Sequence, residues 1–238
     1  MTFDRRVALA IVAMFGLMRA AVAQEITPSC PNIGELDVQA LLLPPPCDSC
    51  AITKAELAEL QSLQSARTPE MTEHARADYT RTPERFLDGM GIHVAAHALG
   101  PAALLLKCAA VVAELAVDKA KLQFNRTRPY KLPDNGLHPL KDIAVYDEPS
   151  YPSGHAAYGS VTGLVLAAMD ADLRDKFLKR IQDFGYSRLV SGVHYRSDVY
   201  SGELVGATAA AMLLDNKDFL RRIDLASPDL RNAIAAAK

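Results

Sequence analysis

The sequence contains no tryptophan, and its aromatic residues make up only 6% of the chain. Runs of β-branched residues are scarce, no useful stretch alternates apolar and polar residues, and no segment repeats. These absences disfavour a β-sheet or a repeat architecture. A basic excess is also missing, because 26 Lys and Arg face 28 Asp and Glu for a net charge of −2. The charge balance therefore predicts no nucleic-acid polymer as a partner.

The composition that remains is typical of one globular domain behind an export signal. The 238 residues are 50% hydrophobic and 23% charged, which is an ordinary balance for a packed core. A basic start, the apolar stretch VALAIVAMFGLM and an A-x-A-like end at Ala21 and Ala23 have the form of a secretory signal peptide. The apolar stretch is short for a membrane anchor. We expect a cleaved signal peptide, 1–23, and a mature domain, 24–238, that is not inserted in the membrane.

Only four cysteines are present, and an exported chain allows them to form disulfides. Four cysteines permit three pairings, among which the sequence does not choose. The CDSC motif could be a redox or zinc motif, but the thioredoxin-like context or second ligand pair that these require is not visible. We favour a structural disulfide for CDSC and expect Cys108 to be a free thiol in a helix. The four residues are Cys30, Cys47, Cys50 and Cys108.

Helix-start signals occur repeatedly after a proline-rich lead-in at about 41–50, which we expect to run extended over the surface. Thr53 and Glu56 have the spacing of a capping box. Two Thr-Pro pairs, at 68–69 and 82–83, each match an N-cap followed by proline at the first helical position.

The remainder of the chain also favours helices. An apolar segment from about 91 to 123 is interrupted by charges and histidines, and it fits a central buried helix better than a membrane span. A long loop is expected over 130–151. Further helices are expected over 154–169, 172–185 and 197–214, with a last short helix after Pro228. The sequence thus predicts an all-α fold, a single-domain helical bundle.

Three separated segments concentrate polar residues: KLQFNRTRPY from 121, PSGH from 152 and SRLVSGVHYRSD from 187. Taken singly, each residue has an ordinary explanation, such as helix capping or a solvated charge. Together they supply three cations and a helix start, a combination suited to phosphate oxygens. The cations are Lys121, Arg128 and Arg188, and the helix start is formed by Ser153, Gly154 and His155.

The same segments contain candidates for acid–base and nucleophilic chemistry. His194 and Asp198 are four residues apart, so on a helix they would share a face. A carboxylate there can orient the imidazole and leave its second nitrogen available for attack. His155, at the rim of the helix start, is placed to transfer a proton. His93 and His97 are also four apart, but without a third ligand we favour a structural role, and no metal or other cofactor is predicted.

The patterns K-x6-RP, PSGH and SR-x5-H-x3-D resemble the three signature motifs of the PAP2 superfamily, the type 2 phosphatidic acid phosphatases. The segments LLLPPP, RTPE, FNRTRPY, SYPSGHAAYG and GYSRLVSGVHYRSDVYSGELVGA are similar to the class A non-specific acid phosphatases of bacteria within that group. The resemblance covers roughly residues 41–214. Tyr195 stands where these enzymes often carry tryptophan, which affects the expected substrate preference rather than the chemistry.

This resemblance implies a PAP2/haloperoxidase-type bundle and an exported, periplasmic acid phosphatase without a metal. His194 would form a phosphohistidine, Asp198 would orient it, and His155 would act as acid and then as base. Small phosphate monoesters are the implied substrates, and an alcohol replacing water would give phosphotransfer. The residues implied to hold the phosphoryl oxygens are Lys121, Arg128, Ser153, Gly154 and Arg188.

Three alternatives remain open at this stage. The same oxyanion site could hold vanadate in a haloperoxidase, serve a membrane lipid phosphate phosphatase, or bind an anion without catalysis. The flanking segments and the short chain favour the acid phosphatase over the haloperoxidase, and charges within the apolar segments disfavour the membrane enzyme. The physiological substrate is not readable from the sequence. Small-residue helix faces are compatible with a homodimer.

Overall fold

The computed structural model describes residues 30–31, 34–140 and 148–237. Within these ranges the chain forms nine α-helices and three short 3₁₀ helices, without a β-strand, which confirms the predicted all-α fold. The α-helices are α1 (Val38–Leu41), α2 (Ala51–Ala66), α3 (Pro69–Ala77), α4 (Pro83–Asp88), α5 (Pro101–Phe124), α6 (Gly154–Met169), α7 (Arg174–Val190), α8 (Arg196–Asp215) and α9 (Lys217–Ala236). The 3₁₀ helices are Ala96–Leu99, Pro129–Lys131 and Ala171–Leu173.

The centre of the bundle is α6, which packs against α5, α7 and α8. Nearly all of its residues are buried, because its Gly, Ala and Ser positions let neighbouring helices approach from several sides. A Cβ added at Gly202 of α8 would lie 2.3 Å from the Ser153 carbonyl oxygen, and one at Gly206 would lie 2.2 Å from that of Ala157. The close contact between α6 and α8 therefore requires glycine at both positions.

The predicted central helix over 91–123 is only partly correct. The α-helix begins at Pro101, after a 3₁₀ turn, and one side of it is exposed, with Leu122 83% accessible. The central position belongs to α6 instead, because its small side chains can be covered on all sides. His93 and His97 are exposed and do not share one α-helix.

The helix starts were predicted with mixed success. Thr68 and Thr82 cap α3 and α4, each accepting a bond from a backbone N–H three residues later. The capping box at Thr53 and Glu56 is wrong, because α2 already begins at Ala51 and both side chains are buried within it. Their polar atoms instead accept hydrogen bonds from Arg126.

The end of the chain also differs from the prediction of a short helix after Pro228. One helix, α9, runs over Lys217–Ala236 and contains Pro228. Asn216 caps it by accepting bonds from two backbone N–H groups. The buried positions Phe219, Ile223, Leu230 and Ile234 share one face, and burial of that face outweighs the backbone hydrogen bond that proline cannot donate.

All four cysteines form disulfides. Cys47 pairs with Cys50, as favoured from the CDSC motif. Cys108 is bonded to Cys30 across a separation of 78 residues, so the expectation of a free thiol at Cys108 is wrong. The partner is distant in sequence and reaches α5 only through the tertiary fold.

The predicted signal peptide, 1–23, lies outside the described residues, as does 141–147 of the predicted loop. The described parts of that loop are largely irregular, apart from the short turn Pro129–Lys131. In the portion of the chain that the structure describes, no helix is both long and apolar enough to cross a membrane.

Candidate active site

The three polar segments of the sequence converge at one end of the bundle. The first leaves the C-terminus of α5, the second forms the N-terminus of α6, and the third joins the end of α7 to the start of α8. They meet because α6 packs against each of these helices. The left-handed conformation of Asn125, with φ of 44°, ends α5 and redirects the chain towards the site.

His194 and Asp198 are in contact, but His194 does not lie on the helix. It precedes α8, and Asp198, in the first turn, reaches back over the helix start. His194 Nδ1 lies 3.2 Å from Asp198 Oδ2, and the same oxygen accepts a 2.9 Å bond from the Tyr195 N–H. The pairing predicted from the four-residue spacing is thus present with a different local geometry.

The tautomer of His194 follows from its neighbours. Nη1 of Arg128 lies 3.3 Å from Nε2 of His194, and a guanidinium can only donate. Nε2 is therefore the acceptor, and the proton of the neutral ring is on Nδ1, facing Asp198. Arg128 is held in place by bonds to the Val193 carbonyl, 3.0 Å, and the Glu148 carbonyl, 2.9 Å.

Two further residues of this network were missed in the sequence. Nη1 of Arg126 lies 2.7 Å from Oδ1 of Asp198, and Ser150 Oγ donates to Oδ2 at 2.5 Å. Arg126 also contacts Glu56 at 3.0 Å and stacks over the Tyr195 ring at 3.8 Å. A signal was available, since Arg126 is two residues before Arg128 in a non-helical stretch, where alternate side chains share a side.

The start of α6 has the form expected for an anion cradle. Ser153 caps the helix, and its N–H donates to the Asp198 carbonyl oxygen at 2.9 Å, which ties the cradle to the histidine network. Gly154 follows without a side chain. A Cβ there would lie 3.7 Å from both Arg81 Nη1 and a Val117 methyl group.

Lys121 lies on the last turn of α5, with only 9% of its side chain exposed. Its Nζ is 3.1 Å from Oε2 of Glu148, whose side chain is 44% exposed. Burial, with a contribution from Arg128, lowers the pKa of Lys121, and Glu148 opposes that shift. A carboxylate thus lies against one of the cations assigned to the phosphoryl oxygens.

Arg188 and His155 are both anchored to the segment that ends α3. Arg188 Nη2 donates to the Ala75 carbonyl at 2.7 Å, and His155 Nε2 donates to the Tyr79 carbonyl at 3.0 Å. Because a carbonyl oxygen only accepts, Nε2 of His155 carries a hydrogen, and Nδ1 is the ring atom that can exchange a proton. Asp78 lies between Ala75 and Tyr79 in the sequence, and its carboxylate is buried. It accepts hydrogen bonds from Arg180 and Ser187, which hold this segment in place.

The pKa values of both histidines are lowered, which favours the neutral form of each ring. Burial, followed by the charge of Arg128, lowers the pKa of His194 to about 3, against the opposing effect of Asp198. Burial also lowers the pKa of His155 well below its usual value, with contributions from Arg188, Arg81 and, more weakly, His194. For Asp198, burial opposes ionisation, but His194, Arg126 and Ser150 hold its pKa below the usual range.

The eight residues singled out from the sequence therefore lie in one connected region, with His194 and Asp198 in direct contact. Across the described residues, no group of three or more His, Cys, Asp or Glu side chains is arranged to hold a metal ion. The arrangement places one oriented, unprotonated imidazole nitrogen in contact with the guanidinium of Arg128. This is the kind of site that binds a tetrahedral oxyanion and can attack its central atom.

Comparison with known families agrees with this geometry. The family model described as "PAP2 superfamily" matches residues 102–220, and the chain belongs to that superfamily. The match contains all three motif segments and extends from α5 into α9.

Curated relatives of the chain include several acid phosphatases. An acid phosphatase of Zymomonas mobilis is 36% identical over 122 residues, which cover 51% of this chain and 46% of that protein. A non-specific acid phosphatase of Providencia stuartii is 34% identical over 117 residues, covering 49% and 47%. One from Salmonella typhimurium is 37% identical over 99 residues, covering 41% and 40%. The matched segment thus spans about half the length of the curated relatives.

Solved structures with the same fold are more distant in sequence. A bacterial vanadium-dependent iodoperoxidase has a TM-score of 0.53 at 21% identity, covering 74% of this chain and 53% of that one. A transmembrane PAP2-type phosphatidylglycerolphosphate phosphatase from Bacillus subtilis has a TM-score of 0.51 at 20% identity, covering 69% and 85%. Both establish the PAP2/haloperoxidase-type fold of this chain.

Proposed function

We propose that this protein is an exported acid phosphatase that hydrolyses small phosphate monoesters through a phosphohistidine at His194. The observation that carries the proposal is the orientation of that ring: Nδ1–H faces Asp198, and Nε2 accepts from Arg128. An imidazole whose lowered pKa favours the neutral form, oriented in one tautomer and in contact with Arg128, is suited to attack phosphorus. The similarity to acid phosphatases supports the same activity.

In the first step, Lys121, Arg128 and Arg188 neutralise the phosphoryl oxygens, together with the backbone N–H groups at the start of α6. His194 Nε2 forms a bond to phosphorus as the bond to the leaving oxygen breaks. Asp198 stabilises the positive charge that the ring acquires. Fixed cations of this kind stabilise the transition state without reorganisation, and no metal or cofactor is required in this scheme.

In the second step, a water oxygen attacks phosphorus, the N–P bond breaks, and one proton of the water passes to His155. If an alcohol takes the place of water, the same step transfers phosphate to that alcohol. A positioned acid–base group of this kind typically contributes about 10²–10⁴-fold to the rate.

The proton for the leaving oxygen in the first step depends on the bound substrate. Burial and nearby arginines lower the pKa of His155, so we expect this ring to carry the proton of a general acid only when substrate is bound. A bound phosphate offsets the arginine charges and raises that pKa. Phosphate monoesters have a second pKa of about 6, so a monoanionic substrate can bring the proton with it, and we expect an acidic optimum.

The decisive experiment is to trap the phosphoenzyme. Protein incubated with phosphate-labelled p-nitrophenyl phosphate and quenched in alkaline denaturant should retain the label on His194, because a phosphohistidine survives base. His194→Ala should abolish both label and turnover, and Asp198→Asn should lower kcat at least about 100-fold. His97→Ala, which alters an exposed histidine, is the matched control.

Several outcomes would contradict the proposal. Turnover that survives His194→Ala would rule out the nucleophile, and turnover abolished by a chelator would rule out metal independence. Oxidation of bromide with peroxide and vanadate, without phosphatase activity, would favour the haloperoxidase alternative.

Export to the periplasm is part of the proposal and has its own test. Mass spectrometry of protein recovered from the periplasm should find an N-terminus at Gln24 if residues 1–23 are removed as expected. Recovery of the full-length chain only in membranes would contradict cleavage and favour a membrane-associated enzyme. The homodimer stays a prediction that sedimentation of the purified protein would check.

A further inference from the structure

Arg81 is an arginine outside the three motif segments that lies beside the candidate active site. It follows α3 and directly precedes Thr82, the N-cap of α4. Two residues earlier, the Tyr79 carbonyl accepts the hydrogen bond from His155 Nε2 at 3.0 Å. The chain segment 79–81 therefore runs along His155.

Side-chain geometry brings Arg81 to the start of α6. Its Nη1 is 3.7 Å from the position that a Cβ on Gly154 would occupy. Arg81 and Gly154 line a cavity of about 120 Å³ with Glu114, Tyr158 and Ala110. That volume is well below the roughly 300–1,000 Å³ of sites that enclose whole ligands, so it suits a small substituent of a substrate.

The position of Arg81 differs from that of Arg128. Arg128 contacts His194, the proposed nucleophile, whereas Arg81 borders Gly154 and follows Tyr79, whose carbonyl accepts the hydrogen bond of His155, the proposed acid. Burial, followed by the charges of Arg188 and Arg81, lowers the pKa of His155. In an in-line displacement the nucleophile and the leaving group lie on opposite sides of phosphorus. Arg81 is therefore on the side from which the alcohol departs.

Glu114 on α5 shares this cavity and pairs with Arg81. The two side chains are 3.2 Å apart through Arg81 Nη2, and they are 35% and 39% exposed. A pair with that exposure is weak, typically about 0–1 kcal/mol, and it engages one edge of the guanidinium. A bidentate interaction with a carboxylate or phosphate is stronger.

We propose that Arg81 determines specificity by binding a second anionic group, a carboxylate or a second phosphate, on the leaving alcohol. This inference rests on the proposed phosphatase function and names the substrate class that the site favours. Neutral monoesters are still hydrolysed, because the phosphoryl group is held by the motif cations, whereas acidic monoesters gain affinity through Arg81.

Two substrates of nearly equal size test the idea: 2-phosphoglycolate, which carries a carboxylate, and 2-hydroxyethyl phosphate, which carries a hydroxyl group. Arg81→Gln should raise KM for 2-phosphoglycolate about tenfold or more, since a hydrogen bond to a charged group contributes about 1.5–3 kcal/mol. KM for 2-hydroxyethyl phosphate should change less than twofold, and any change in kcat should be equal for the two substrates, because the charge of Arg81 acts on the pKa of His155. Arg81→Lys should give an intermediate KM. Glu114→Gln should lower KM for 2-phosphoglycolate only.

Arg221→Gln is the control, because Arg221 forms an exposed pair with Asp218 far along the chain in α9. Equal changes in KM with both substrates would overturn the inference, since Arg81 would then act on the phosphoryl group that the two substrates share. The wild-type protein should also be stabilised against thermal unfolding more by 3-phosphonopropionate, the non-hydrolysable phosphonate analogue of 2-phosphoglycolate, than by inorganic phosphate, and Arg81→Gln should abolish that difference.

This binding measurement separates the two proposals. Absence of turnover with every monoester would contradict the phosphatase function, while the difference in thermal stabilisation would still support the anion site. If the wild-type protein hydrolyses monoesters but shows no difference in thermal stabilisation between the acidic ligand and inorganic phosphate, the role of Arg81 is contradicted and the phosphatase function is not.

Discussion

Arg126 and Asp198 form a buried ion pair, with Nη1 and Oδ1 2.7 Å apart. The carboxylate that orients His194 is therefore itself oriented by a cation from the first motif segment. Arg126 also binds Glu56 on α2 and contacts Ser197 on α8, so it links the histidine network to two helices. Through Arg126, the local geometry of the candidate nucleophile depends on the packing of the bundle.

Arg126→Met should destabilise the protein by about 3–5 kcal/mol, because it leaves two buried carboxylates without their guanidinium. We expect kcat to fall about tenfold or more as the Asp198 carboxylate loses one of its fixed contacts. Urea denaturation and turnover of p-nitrophenyl phosphate measure the two effects. Arg196→Gln is the matched control, since its pair with Glu59 is about one-third exposed and should cost less than about 1 kcal/mol. Equal effects of the two variants would contradict the role assigned to burial.

The free energy of unfolding should decrease as the pH falls from about 6.5 towards 3. Burial lowers the pKa of His194 to about 3 and that of His155 well below its usual value. Over this range the unfolded chain binds protons that the folded chain excludes, so acid favours unfolding. Each histidine contributes a slope of at most about 1.4 kcal/mol per pH unit.

Urea titrations between pH 4 and 7 check this slope. His194→Asn should make it shallower, whereas His97→Asn, at an exposed position, should leave it unchanged. A slope that is the same in all three proteins would show that neither buried ring excludes protons. Saturating phosphate should reduce the slope in the wild-type protein, since the bound anion raises the pKa of His155.

Glu148→Gln should strengthen the binding of phosphate. The Glu148 carboxylate lies 3.1 Å from Lys121 Nζ, so in the proposed site it would compete with a phosphoryl oxygen for that cation. Because the carboxylate is partly exposed, the gain is modest, roughly two- to fivefold. Competitive inhibition by inorganic phosphate measures it. Glu35→Gln is the control: it removes the partner of Lys119, which lies on α5 like Lys121, and it should not change the inhibition constant. An unchanged or raised inhibition constant in Glu148→Gln would contradict the proposed competition.

Gly202→Ala and Gly206→Ala should both destabilise the protein, by about 1–3 kcal/mol. The added Cβ would collide with a backbone oxygen of α6, that of Ser153 in the first case and of Ala157 in the second. Only Gly202→Ala should also raise KM, because Ser153 belongs to the proposed anion cradle whereas Ala157 is a turn further along. Thermal unfolding and kinetics of the two variants make the comparison, and unaltered KM in Gly202→Ala would argue that Ser153 does not contact substrate.

Local features of the fold were readable from the sequence because their causes are local. A threonine before a proline capped a helix at Thr68 and at Thr82, since the accepting oxygen and the donating N–H are three residues apart. The capping box predicted at Thr53 was wrong because the partner of this side chain is not local. The Thr53 hydroxyl accepts a hydrogen bond from Arg126, 73 positions away, and no local sequence pattern indicates that contact.

The features of the candidate site also fall into those that the sequence predicts and those that depend on tertiary packing. Residue identities and spacings singled out both histidines, Asp198 and the cations as candidates, because these side chains suit the binding of an oxyanion. Which nitrogen of His194 is protonated, that Arg126 supports Asp198, and that Arg81 borders the cradle all depend on packing. The pairing of Cys30 with Cys108 and the central place of α6 have the same origin. Burial and contacts between distant segments set charge states and partners, and these exist only after the helices have come together.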